Sequence, residues 1–575
     1  MITPFTALPT FHSYFPAMKT LFLFLLLLSS YSASAQANWQ WVNQLTSSGA
    51  AVSARSITTD AAGNSYVTGS FAGRAIFGST TLISRGQTDI FLVKYNPGGR
   101  AMWAVQLGGD PAVGNAYYPP SANSNDVALD GAGNVYLVGN FTGNLAYGNG
   151  RTLPSFSEGF QTAFIAKVNA RGQVQWAKRF GIGQYSCYAY ALATDAAGNS
   201  YVTGQSDYGQ IQFDNIVTTG SRRVMFVARY TTSGTVAWAK SSTNFSSFGA
   251  SGNDIALDKR GNCYVGGFFN NDMTLDGTAL TTVGADSYLA RFVAASGSLQ
   301  WLKKGGGSGT PNANNNVHIS TLDTDRQGNI YVAGDFSGTT SVGGQPLAGT
   351  GPEQPDIFLA RYSPVGTVQW AKTTGTSTTE YSTQLVTDAD GYCTLVGRRL
   401  NASYEPQLLL HSFQPNGDLY YSDVIGTSGS CTGTSVAQDA NGLLYVTGNL
   451  SGTASFGSTT LQTATRTDGF VGRLRIRVPQ SGNNGGGKPT VEVFPNPVRG
   501  RLVTSLTWDK AGLLVTGKAL LTNAMGCPVA ARPLLATSAT QSQAVFDCSA
   551  LPTGLYVLYL ATANGTFYTR GVEVR

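Results

Sequence analysis

Short runs of alternating apolar and polar residues, each closed by a glycine-containing turn, fill the chain from residue 38 to residue 478. Alternation with a period of two puts successive side chains on opposite faces of a strand. Few stretches carry the 3.6-residue period of a helix, so the expected class is all-β. The runs recur in a fixed order. Seven times the chain returns to D-x-x-G-N-x-Y-V-x-G or a decayed form of it, at Asp60, Asp130, Asp195, Asp258, Asp325, Asp388 and Asp439. Tyr66, Tyr136, Tyr201, Tyr264, Tyr331 and Tyr445 hold the tyrosine place, and Thr394 takes it in the sixth copy. An apolar residue stands three before each Asp, from Ile57 to Val436. Downstream, runs such as Ile90-Phe91-Leu92-Val93-Lys94-Tyr95 lead through a glycine turn to Trp103, Trp176, Trp238, Trp301 and Trp370, with Tyr421 in copy six.

Each copy reads as four strands. Asp and Gly in D-x-x-G-N suit a tight turn, because Asp accepts backbone N–H bonds and Gly takes the left-handed position. Four-stranded units of this length cannot bury both faces alone and fit the blades of a β-propeller. The seventh copy ends near Leu474 without a Trp strand, while Asn38-Trp39-Gln40-Trp41-Val42 has a Trp strand and no copy of its own. A seven-bladed β-propeller over 38–478, closed by the N-terminal strand, follows as the expectation. An open array of sheets is the alternative.

Outside the repeats, Lys19 is followed by the apolar run Leu21–Leu28 and by Ala33-Ser34-Ala35, the pattern of a signal peptide over 1–35, with Met18 as an alternative start. The run is too short for a membrane span, and no transmembrane segment is expected in the mature chain. Residues 479–490, rich in Gly and Asn, read as a flexible linker, and 491–575 as a small β-sandwich. The 70 glycines demand many turns, and the net charge of +6 comes from scattered Lys and Arg without a basic run, which argues against nucleic acid.

The D-x-x-G-N-x-Y-V-x-G copies resemble the SBBP-type β-propeller repeats of secreted bacterial proteins. The resemblance spans roughly Asn38 to Val478 and is poorest in copy six. It implies a fold and an exported location, with no catalytic residues to carry over. The C-terminus is similar to the sorting domain of type IX secretion. The matching features are Pro495-Asn496-Pro497, Gly526, the L-P-x-G-x-Y run with Leu551, Gly554 and Tyr556, and the basic end at Arg575. That likeness implies the type IX machinery as partner, outer-membrane export, and a final place in the medium or on the cell surface.

Chemistry-bearing residues are sparse. Beyond the presequence only His318 and His411 remain, and no C-x-x-C occurs, so no metal, cofactor or catalytic residue is assigned. The Asp-rich turns at Asp323–Asn329 and Asp388–Gly391 lack the later acidic residue of a calcium loop and read as turn chemistry. Cys187, Cys263, Cys393 and Cys431 fall in non-adjacent copies or non-matching positions and are expected to be free, whereas Cys527 and Cys548 could pair. The long variable loops, among them Asn144–Gln161 and Gly305–His318 with Tyr117, Tyr118, Tyr185, Tyr188, Phe245 and Phe248 on others, are expected on one face. Near the channel mouth on that face, Arg55, Asn125, Asp126, Tyr190, Asn253, Asp254 and His318 are the candidate ligand-binding residues. Their alternative role is to cap the channel with satisfied hydrogen bonds. The expected activity is non-enzymatic binding of a protein or glycan. The alternatives are a carbohydrate-active lyase or glycosidase, for which Asp126 and Asp254 are the only paired acids, and a structural surface protein.

Overall fold

The computed structural model describes residues 37–48, 50–110, 119–220, 222–244, 249–306, 317–351, 354–374, 378–426, 428–463, 466–476, 490–494, 498–507, 517–523, 528–538, 541–562 and 567–575. The signal peptide and all of the linker but Thr490 fall outside them, as do Pro495, Asn496, Pro497, Gly526, Cys527, Tyr117, Tyr118, Phe245 and Phe248. Two compact units are present, Ser34–Val478 and one containing Pro479–Arg575. The described elements are all strands, and no described helix is long and apolar enough to cross a membrane.

In the larger unit each copy is an antiparallel four-stranded meander. The first runs Val52–Thr59, Ser65–Phe71, Asp89–Tyr95, Ala101–Gly109. Its register explains the spacing of the motif. Tyr66 pairs with Lys94 and Lys94 with Trp103, so the three stand in one row across the sheet. The row recurs as Tyr136–Lys167–Trp176, Tyr201–Arg229–Trp238, Tyr264–Arg291–Trp301 and Tyr331–Arg361–Trp370. In the last copy Tyr445 pairs with Arg473, and Arg473 with Trp41 of the strand Ala37–Ser48. The N-terminal strand thus supplies the aromatic that the last copy lacks.

The sheets stack through both faces, which is why strands such as Asp89–Tyr95 are buried at nearly every residue. One apolar cluster joins Tyr66 and Leu92 of the first sheet to Val127, Leu137 and Phe164 of the second. Another joins Val52 and Phe91 of the first to Tyr445 and Val471 of the last. Four of the row tryptophans bond to the following sheet: the Trp41, Trp176, Trp238 and Trp370 indole N–H groups donate to carbonyls of Pro97, Thr232, Ala294 and Pro415. The first strand of each copy lies beside the first strand of the next, and that of the seventh, Ser428–Gln438, beside Val52–Thr59.

The variable loops differ from expectation. One of the named loops, 144–161, and the corresponding connections 74–83 and 211–218 fold into short hairpins that add to the outer strand of the preceding sheet. Arg74–Phe77 pairs with Ala37–Ser48, Asn144–Ala146 with Ala101–Gly109, and Ile211–Phe213 with Val174–Gly181. An outer strand has unpaired N–H and C=O groups, and a neighbour's hairpin satisfies them. The segment 144–161, expected as a binding loop, is therefore largely a strap between sheets.

The smaller unit orders its strands as Thr490–Phe494, Arg501–Thr507, Gln541–Asp547, Pro528–Ser538, Gly517–Asn523, Gly554–Thr562 and Phe567–Val574. Pro528–Ser538 pairs with Gly517–Asn523 through its first part and with Gln541–Asp547 through its last. Leu502, Phe546, Leu521 and Leu558 share one core. Cys187, Cys263, Cys393, Cys431 and Cys548 are free and buried.

Candidate functional site

The first strand of every copy carries one register shift. The residue left unpaired is Arg55, Asn125, Tyr190, Asn253, Ser320, Thr383 or Thr434. A bulge bends its strand and re-aims the extra side chain. All seven of these side chains line one cavity of about 340 Å³, with Ser56, Asp126, Ala191, Asp254 and Gln384. Six of the seven sequence candidates are thereby brought together. His318 is not among the lining residues. It opens the strand His318–Thr324 and stacks on Phe268 at 4.8 Å, beside a second cavity that shares Tyr190 and Asn253 with the first. Burial holds its pKa below the ordinary histidine value.

Sequence reasoning missed Ser320, Thr383, Gln384 and Thr434. The signal for three of them was in the sequence, since every bulge residue stands five before its repeat's Asp. Their small or uncharged side chains gave no chemical reason to single them out.

The polar atoms here are mostly spent on the neighbouring sheet. Asn125 Nδ2 donates to Ala189 O at 2.7 Å, Asn253 Nδ2 to Ile319 O at 2.8 Å, and Thr434 Oγ1 to Ala54 O at 3.0 Å. The next residue along accepts in return. Asp126 Oδ2 takes the Leu192 N–H at 2.7 Å, Asp254 Oδ2 that of Leu322 at 2.8 Å, Thr321 Oγ1 that of Leu385 at 3.0 Å, and Ser435 Oγ that of Ile57 at 3.3 Å. The pattern is the same between the last and first copies as between interior ones. Ser56 Oγ and the Val127 N–H donate to Asp126 Oδ1, and the Ile255 N–H to Asp254 Oδ1.

Burial pushes Asp126 up to about 6 and Asp254 to about 7, the latter raised further by the Asp126 charge. Such values suit a general acid. Both oxygens of each carboxylate also accept backbone N–H groups, which fixes the two side chains as clasps between neighbouring sheets. Exposed Arg55 and half-buried Tyr190 are the cavity residues with reach for a ligand. Asp323 and Asp325 are likewise engaged, Asp323 by the N–H groups of Thr324 and Thr387 and Asp325 by Asn329, so these turns are held by hydrogen bonds.

In the smaller unit Tyr556 is buried and its hydroxyl donates to Pro552 O at 2.8 Å, while Leu551 packs on the core. Gly554 opens the strand Gly554–Thr562 in extended backbone. Arg575 pairs with Glu573 at 2.6 Å, and its N–H donates to Val498 O.

Residues 40–70 and 175–208 match the beta-propeller repeat family SBBP, so the chain carries β-propeller repeats. An uncharacterized WD repeat-containing protein of Acanthamoeba polyphaga mimivirus is 22% identical over 360 residues, 52% of this chain and 25% of its own length. The match thus spans about a quarter of that relative. Among solved structures, a protein of unknown function from Dyadobacter fermentans is 11% identical over 62% of this chain and 94% of its own, with a TM-score of 0.34. A puromycin hydrolase is 13% identical over 80% and 59%, TM-score 0.36. A Hadza microbial sialidase is 11% identical over 94% and 96%, TM-score 0.28. None of these transfers an activity to this chain.

Proposed function

We propose that the chain is an exported, non-enzymatic binding protein. In this reading its repeats make a seven-bladed β-propeller and its C-terminal unit a β-sandwich that sorts it for type IX secretion. The ligand is a protein or glycan held at the cavity that the bulges line. Support for the architecture comes from the seven motif copies, from Trp41 completing the last row, and from the same clasp linking Ser435 to Ile57 as links the interior sheets. Support for the sandwich is the Val498–Val574 bridge, which brings the two ends of the smaller unit together. Export rests on the apolar run before Ala35 and on the sorting-like motifs around Pro495 and Leu551.

One observation carries the binding reading. Seven positions at one offset in the repeat converge on a single cavity, and five residue types share them (Arg55, Asn125 and Asn253, Tyr190, Ser320, Thr383 and Thr434) while the surrounding motif recurs. A rigid frame with one variable position per unit is how repeat folds display a recognition surface. The enzymatic alternative rests on the raised Asp126 and Asp254, and their engagement with the neighbouring sheets' backbone weighs against it.

A glycan array and a protein capture screen on the secreted protein test the reading, with Arg55→Ala and Tyr190→Ala as variants. Each variant is expected to weaken the ligand by about tenfold, or about 1.4 kcal/mol. A wild-type protein that binds nothing in either screen would reduce the chain to the structural alternative. Export is tested by removing 491–575. The protein is then expected inside the cell envelope and missing from the medium and surface, and unchanged export refutes the sorting role.

A further inference from the structure

Beside the channel cavity lies a second one of about 440 Å³, formed where the third and fourth copies meet. Its volume falls in the range of about 300–1,000 Å³ typical of ligand pockets. Three of its eight lining residues are aromatic. Tyr188 and Tyr190, on alternate residues of the strand Cys187–Thr194, stack at 6.0 Å with planes 15° apart. Phe268 faces them from the next copy and is backed by His318. Tyr208, next to Asp207 in sequence, stacks on Tyr185 at 4.5 Å and 10°, and the two remain 39% and 38% exposed. The Asp207 N–H donates to Ser186 O, which ties this pair to the pocket.

The polar lining is planar and paired. Arg223 Nη2 stands 3.4 Å from Asp207 Oδ1, and Gln205 Nε2 donates to the same oxygen at 3.1 Å. Of the lining residues, Arg223 and Asp207 alone carry charge, so the lining is neutral. That decides the ligand class. A nucleic acid or acidic glycan needs unpaired cations, and the one cation here is compensated. A hexopyranose has a C–H face for aromatic stacking and a rim of hydroxyls, each both donor and acceptor, for the edges of Asp, Gln and Arg.

We infer that this pocket binds a neutral hexopyranose unit of a glycan, with Tyr188 and Phe268 against its ring and Asp207, Gln205 and Arg223 on its hydroxyls. The inference rests on the binding reading above and adds to it a neighbouring pocket, with its own chemistry, that shares Tyr190 and Asn253 with the first. Its aromatic platforms lie off the channel, so the two can fail separately.

The test is calorimetric titration of the full-length mature protein with cellohexaose, laminarihexaose, mannohexaose, chitohexaose and, as the acidic control, hexagalacturonic acid. At least one neutral hexasaccharide is expected to bind and the acidic one not. Tyr188→Ala and Arg223→Ala should each weaken that binding about tenfold, and Tyr188→Phe should restore it. Tyr208→Ala, at an exposed position, should weaken it without lowering the melting temperature. Val365→Ala, exposed and outside both linings, should leave it unchanged. The inference is overturned if only the acidic oligomer binds, if no hexasaccharide binds, or if neutral binding ignores the Tyr188, Tyr208 and Arg223 variants. Loss of neutral binding in Arg55→Ala but not in these variants overturns the inference and keeps the channel reading. Capture of a protein ligand with no saccharide bound has the same meaning. Absence of every ligand overturns both.

Discussion

Asp258 shows how much one side chain does in this fold. Its Oδ1 accepts the N–H groups of Arg260 and Asn262, both at 2.9 Å, and its Oδ2 accepts Asn262 Nδ2 at 2.6 Å and the Tyr264 hydroxyl at 3.0 Å. Each buried donor left without a partner costs about 1–3 kcal/mol. Asp258→Ala is therefore expected to lose at least about 3 kcal/mol, and Asp258→Asn less, because an amide oxygen still takes the backbone pair. Urea titration followed by tryptophan fluorescence reads the difference. The glycines separate two costs. Gly261 and Gly297 both have left-handed backbone, at φ +82° and +72°. A Cβ at Gly261 meets open space, whereas at Gly297 it would lie 2.6 Å from Trp238 of the preceding copy. Gly261→Ala is expected to cost only the conformational penalty of about 1–2 kcal/mol. Gly297→Ala should cost clearly more, with the order of their melting temperatures as the check.

At the scale of elements, the N-terminal strand is the one to remove. Ala37–Ser48 gives the last sheet its outer strand and places Leu45 in the core shared with the first. Without residues 37–45, Asp468–Ile476 becomes an open edge, a template for pairing with other chains. The truncated protein is expected to melt well below the intact one and to elute as oligomers in size-exclusion chromatography. An equally stable monomer would contradict the strand's role. Here the sequence was readable, because Trp41 stood without a copy and the last copy without a Trp. Strand positions were readable for the same reason, since each Asp, Tyr and Trp marks a fixed place in a sheet row. The hairpins Arg74–Ile83 and Asn144–Pro154 were not. They pair outside their own copy, and their three- and four-residue strands leave too short an alternation to detect. The site was readable in part. Arg55, Asn125 and Tyr190 announce themselves chemically, while Ser320 and Thr434 look like any surface residue until the bulge directs them inward. What Asn125, Asp126, Asn253 and Asp254 do with their polar atoms depends on the neighbouring sheet's backbone, which no local pattern encodes.

For the molecule as a whole, the buried carboxylates set the pH response. Burial raises Asp126 and Asp323 to about 6 and Asp254 and Asp335 to about 7, against about 3.9 in an unfolded chain. Between pH 4 and 7 the folded protein holds protons on these groups that the unfolded chain has released, so their contribution is present at low pH and lost as pH rises through 6–7. His411, pushed down to about 4, and His318, also lowered, act in the opposite sense in the same window. Four carboxylates outweigh two histidines. Stability is expected to rise by roughly 1–3 kcal/mol per pH unit on going from 7 to 5. Melting temperatures at pH 8, 6.5 and 5 check this, and Asp335→Asn should flatten the slope. A steady fall on acidification would show that these carboxylates are ionised in the fold. The pairing of the first strand with the last also sets a timetable for biogenesis. Gln44 bonds to Asp468 across 424 residues of chain. During synthesis the opening strand must wait for almost everything behind it. Until residues 468–476 are made, residues 37–45 lack the strand they pair with in the fold.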